Sequence, residues 1–163
     1  MVDRPSKLWK DLPPDKRVLA AEAFWRDEDS PDVAMHQMEA VVALARRLNF
    51  RTRSIQTLPI DRRARHLAQM SDVTEGVATR ALIAYHFTHQ RPLMASFLDA
   101  LGIAHDHGLI TEEAVPAPAG DRLAAAATTL RQAFDASDVN LYLRTLAALD
   151  GETWANMEEA LHG

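Results

Sequence analysis

Residues 72–110 read DVTEGVATRALIAYHFTHQRPLMASFLDALGIAHDHGLI. Asp72 followed by Glu75 is a helix-start pattern, in which both acids can meet the orphan N–H groups of a first turn. Ala78, Leu82, Tyr85 and His89 then recur at i, i+4, i+7 and i+11, one face of a helix. His86 falls beside that face. Pro92 disfavours the helical conformation at Arg91 and suits the start of a second helix. That helix buries Leu93, Phe97, Leu98 and Leu101, and Gly102 is placed to end it in the left-handed region. The stretch therefore predicts two packed helices followed by a short polar loop, Ala104-His105-Asp106-His107-Gly108.

The same grammar extends outward in both directions. Pro13-Pro14-Asp15 opens a helix to about Arg26, and residues 1–12 are expected to be a loosely ordered lid. Ser30-Pro31 reads as the cap and first residue of a helix over 31–49. Its Ala34, Met38, Val41, Ala45 and Leu48 mark a buried stripe or a dimer seam. His36 falls off that stripe and reads as a solvated surface histidine. Residues 49–58 read as irregular, and Pro59 opens a helix to about Met70. Leu12-Pro13-Pro14-Asp15-Lys16-Arg17 and Leu58-Pro59-Ile60-Asp61-Arg62-Arg63 share the pattern L-P-x-D-[KR]-R. That pattern is good helix-start chemistry by itself, so the two are taken as independent starts.

Beyond Ile110 the only Pro-rich stretch is Val115-Pro116-Ala117-Pro118-Ala119-Gly120. Asp121 and Asp138 read as caps of the next helices, and Trp154, Met157 and Leu161 as the stripe of a last one. No segment alternates β-branched residues over five positions. The expectation is an all-α chain of about seven or eight helices, mostly antiparallel neighbours. It forms one domain, with a bundle over 1–110 and C-terminal helices over 121–163 docked on it.

The chain has 163 residues, 47% of them hydrophobic, enough for a sizeable core. It contains no cysteine, which removes disulfides, thiolate metal sites and cysteine nucleophiles. The N-terminus lacks an apolar signal core, and no apolar run is long enough to span a bilayer. These features point to the cytoplasm. The net charge is −5, which does not favour nucleic acid as a partner.

Two groups of residues stand out chemically. The first is basic: Arg46, Arg47, Arg51, Arg53, Arg62, Arg63 and Arg65 fall within twenty residues, opposed by Asp61 alone. The guanidinium fork matches carboxylate and phosphate, so this block suits an acidic or anionic partner. The competing account is that it neutralises the acidic C-terminal part of the same fold. The second is His86, His89, His105 and His107 with Asp106, four of the seven histidines. Imidazole with carboxylate is a fair ligand set for a divalent transition metal.

His66 or His86, then His105-Asp106, then Asp135 or Asp138, along a helical chain, resemble the order of residues in the HD metal-dependent phosphohydrolases. The resemblance implies a metal-activated water that attacks phosphorus. Gly102 departs from it, ending a helix where that family keeps a long apolar one. The sequence therefore offers a non-catalytic interaction or regulatory module that needs no cofactor and binds a protein or a second copy of itself. The alternative is a metal-dependent, HD-like hydrolase.

Overall fold

The computed structural model describes residues 2–162 and is all-α, with ten helices and a short hairpin of two two-residue strands among them. No helix of the described residues is long and apolar enough to cross a membrane. The chain forms two compact units, one of residues 4–88 and one of residues 2–3 and 89–162.

In the first unit the order is α1 (Pro5–Asp11), α2 (Pro14–Arg26), α3 (Val33–Leu48), α4 (Thr52–Thr57), α5 (Ile60–Ala68) and α6 (Glu75–His89). The expected lid is a formed helix. Trp9 in α1 is fully buried, and its indole N–H donates to the Met70 carbonyl at 2.8 Å. The expected irregular stretch contains α4, whose Ile55 is also fully buried.

The two L-P-x-D-[KR]-R segments prove to be structural equivalents. Each joins a short helix to a longer one, α1 to α2 and α4 to α5, with its second residue as the cap. Pro13 lies at φ −58°, ψ 149° and Pro59 at φ −55°, ψ 147°. The last arginine of the shared pattern turns back in both. Arg63 Nε donates to the Leu58 carbonyl at 3.0 Å, and its guanidinium lies 5.3 Å over the Trp25 ring. Arg17 donates to the carbonyls of Ala68 at 2.9 Å and Lys10 at 2.8 Å, and lies 5.9 Å over Trp9. Arg17 at the start of α2 thus reaches the end of α5, and Arg63 at the start of α5 reaches the end of α2. The two helices pack antiparallel.

Between them, Ser30-Pro31 makes a turn instead of a helix start. Asp27 Oδ1 accepts from the N–H groups of Asp29 and Ser30 at 3.1 and 3.2 Å. Asp32 then takes a left-handed conformation, φ 64°, and α3 begins at Val33. The buried side of α3 is Val33, Ala40, Val41, Leu44 and Ala45. It is rotated from the expected stripe, so Ala34 is exposed and Met38 is 46% exposed. Gln37 lies on the inward side: its amide donates to the carbonyls of Phe24 and Asp27 and closes the end of α2. A polar residue whose donors are satisfied thus occupies an inward position.

The second unit holds α7 (Arg91–Leu101), the strands β1 (His105–Asp106) and β2 (Leu109–Ile110), α8 (Gly120–Ala133), α9 (Ala136–Leu149) and α10 (Glu158–His162). Gly102 ends α7 at φ 69° as expected. Phe97 anchors the core, edge-on to Tyr142 at 5.7 Å and tilted against Trp154 at 5.9 Å. Burial pushes the Tyr142 phenol well above its ordinary pKa. Arg131 ties three helices together, donating to Asn140 Oδ1 at 2.7 Å and to the Ala160 carbonyl at 2.6 Å. The cap of α9 is Asp135, which accepts from Ser137 N at 2.7 Å, three residues before the expected Asp138. Residues 151–157 are a run of turns, so the last helix, expected to carry Trp154, Met157 and Leu161, covers only Glu158–His162.

Candidate functional site

The basic block divides once its partners are traced. Arg63 is taken up by Leu58 and Trp25, as described. Arg65 pairs with Asp61 at 3.0 Å along one face of α5. The other five, Arg46, Arg47, Arg51, Arg53 and Arg62, are exposed. None of the five makes a side-chain hydrogen bond or ion pair among the described residues. Four of them sit in one helix–turn–helix. Arg46 and Arg47 form the last turn of α3, where cations suit the negative end of the helix dipole. Asn49 closes that helix at φ 56°, and the Phe50 N–H returns to the Ala45 carbonyl at 2.9 Å. Arg51 caps α4 and Arg53 lies in its first turn, while Arg62 is in the first turn of α5.

Sequence reasoning missed Phe50. It follows the sharp turn at Asn49, between Arg47 and Arg51 in the chain, and is 50% exposed. Beyond it, Met35 is 58% and Met38 46% exposed, with Val42 half-buried between them on the outer face of α3. The available signal was the spacing Met35, Met38, Val42, Arg46, a second helical stripe on the opposite side from Val33, Ala40 and Leu44.

The histidines are used one at a time. His86, not His89, is the buried one; its Nδ1–H donates to the Leu82 carbonyl one turn back at 2.8 Å. His89 is exposed at the end of α6. The His-Asp-His loop is a tight hairpin. His105 pairs with Ile110 and Asp106 with Leu109, and His107 and Gly108 both have positive φ, 48° and 90°. These are the dihedral signs of a type I′ turn, the natural two-residue link between twisted strands. Side chains on a strand alternate faces, so His105 and Asp106 point to opposite sides. His105 is fastened to α7: the Gly108 N–H donates to its Nδ1 at 3.1 Å, leaving Nε2–H to donate to Asp99 Oδ1 at 2.7 Å. Arg91 completes the fastening through the His107 carbonyl at 2.9 Å. His107 is exposed, with Asp106 Oδ1 at 3.7 Å from its Nε2. Both ring nitrogens of His105 are engaged within the fold, which leaves no lone pair for a metal or a substrate proton. Among the described residues no three His, Asp or Glu side chains form a group that could hold a metal ion.

His36 is not the solvated histidine expected from its place off the stripe. Its side chain is 17% exposed, and Nδ1 lies 3.0 Å from Glu39 Oε1. Glu39 also accepts from the Thr74 hydroxyl at 2.8 Å, and Thr74 Oγ1 accepts from Val77 N at 3.2 Å. Thr74 therefore does the work expected of Asp72 at the start of α6. Glu75 instead accepts from the Ser6 N–H of α1 at 3.3 Å. The imidazole lies against Gly76, where a Cβ would collide with the ring.

Compared with protein families, curated proteins and solved structures, the chain matches none of them.

Proposed function

We propose that the chain is a non-catalytic protein-interaction module whose arginine face, at the α3–α4 turn and the start of α5, takes an acidic partner. One observation carries this reading. Five exposed arginines in three neighbouring segments make no side-chain bond within the chain. Guanidinium groups are pre-organised for bidentate contact with carboxylates. The reading places the protein in the cytoplasm, in keeping with its lack of cysteine. It leaves a second copy of the chain among the possible partners and requires no cofactor. The hydrolase alternative draws no support from the hairpin, where both ring nitrogens of His105 are engaged within the fold.

The test is binding of a fluorescent poly-glutamate peptide at low and moderate salt. The Arg51→Ala/Arg53→Ala/Arg62→Ala variant is expected to bind more weakly by about 3- to 150-fold, since three exposed ion pairs contribute about 0.2–1 kcal/mol each. Its salt dependence should flatten in step, because the screened charges are gone. Equal affinity and equal salt dependence in wild type and variant would refute the reading.

A further inference from the structure

The arginines do not stand alone on their side of α3. Met35 and Met38 are about half exposed, Val42 half-buried, and Arg46 continues the same line one turn further on. At 100° per residue these four fall within one quadrant of the helix, opposite Val33, Ala40 and Leu44. Phe50, half exposed, follows the end of α3 in the chain, between Arg46-Arg47 and Arg51-Arg53. The surface is therefore graded along the axis of α3, apolar at its N-terminal half and strongly basic at its C-terminal end.

That grading selects among anionic partners. A poly-anion such as a nucleic acid backbone satisfies the arginines and leaves the methionines wet. An extended acidic peptide does the same. A helix laid along the outer face of α3 covers an apolar stripe of this length with residues at i, i+3 or i+4, and i+7, the usual mode of helix recognition. Methionine suits such a surface because its unbranched side chain adapts to the partner. The direction of the helix follows from charge. Acidic residues stabilise a helix N-terminus, and basic residues a C-terminus. A partner helix antiparallel to α3 brings its own acidic first turn onto Arg46, Arg47, Arg51 and Arg53, with the two helix dipoles opposed.

Resting on the interaction reading above, we infer that the occupant of this face is an amphipathic helix with an acidic N-terminal turn, lying antiparallel along α3 with its apolar stripe on Met35, Met38, Val42 and Phe50.

The experiment uses the full chain and four labelled probes: a designed amphipathic helix with glutamates in its first turn and a leucine stripe, the same helix with the glutamates moved to its last turn, a scrambled peptide of equal composition, and vesicles of anionic lipid. The first peptide is expected to bind about tenfold or more tightly than the second and the scrambled one. Met35→Lys/Met38→Lys should abolish that advantage, and so should Arg51→Ala/Arg53→Ala/Arg62→Ala. Both methionines are exposed, so the charged variants should keep the wild-type thermal melt. If the arginine variant loses binding while the methionine variant and the scrambled peptide behave as wild type, the helix inference falls and the acidic-partner reading stands. If no peptide responds to the arginines, both fall. Binding to vesicles with no preference among the peptides would overturn the inference in favour of a lipid surface.

Discussion

Gly76 is the residue whose replacement reports most directly on local packing. The His36 ring occupies the space that a Cβ would need. Gly76→Ala should therefore destabilise the protein by about 1–3 kcal/mol, the usual penalty of overpacking, despite the better helix propensity of alanine. Removing the ring as well, in Gly76→Ala/His36→Ala, should recover most of that loss. A thermodynamic cycle in denaturant measures the coupling. Additive effects would show that the ring and residue 76 do not meet. Asp150 offers a second test. Hydrogen bonds from Thr153 hold its carboxyl below the ordinary aspartate range. A lowered native pKa adds stability that is complete above the unfolded value, about pH 4, and is lost as pH falls through the native value. The stability gap between wild type and Asp150→Ala should be constant near neutrality and shrink in acid below about pH 4; a gap that widens there would contradict the assignment. Neither feature was legible from periodicity. His36 looked solvated because the helical wheel of α3 records only which side faces the core of its own helix pair. The wheel contains nothing about the start of α6, some forty residues later.

At the scale of elements, the twin loops before α2 and α5 join four helices of the first unit. Arg17 bonds two carbonyls within 3 Å and lies over a ring, whereas Arg63 bonds one carbonyl and lies over a ring. Arg17→Ala should cost about 2–4 kcal/mol and Arg63→Ala about 1–2 kcal/mol. Lysine should rescue neither in full, because one ammonium cannot reproduce the planar fork. Chemical denaturation of the four variants checks the order; equal losses at both positions would break the argument. The L-P-x-D-[KR]-R echo was visible in the sequence, but its meaning was not. Helix-start chemistry explains the proline and the aspartate without any tertiary role. Only the contact of each arginine with the far end of the other helix shows why both loops end in one. The hairpin at 105–110 was missed for a different reason. Two residues per strand are too few for alternation to show, and His107-Gly108 is not among the commonest type I′ pairs. The all-α class and most helix positions were legible because Pro, Gly and apolar spacing agreed with each other. Boundaries moved where a side chain made a tertiary bond, as Gln37 and Thr74 do.

Across the whole molecule the charge is unevenly held. Residues 4–88 carry fourteen Lys and Arg against eleven Asp and Glu, and the remainder four against twelve. Two accounts of the arginines compete at this scale. If they exist to neutralise acids of the same fold, removing them should destabilise the protein, and more so at low salt. If they face a partner, the free chain should scarcely notice. The five exposed arginines favour the second account, since none has a bond to lose. The part of the site legible in the sequence was the block itself. The part that was not legible is the use of Arg63, because its Trp25 partner comes from another helix, whereas Arg65 follows Asp61 at the i,i+4 spacing of a helical ion pair.

The most direct test is the unfolding free energy of Arg51→Ala/Arg53→Ala/Arg62→Ala, measured by denaturant titration at low and moderate salt. An interaction face predicts wild-type stability within about 0.5 kcal/mol at both salt concentrations. A loss of about 2 kcal/mol or more, relieved by added salt, would mean that these arginines hold the fold together and would remove the basis for a binding surface.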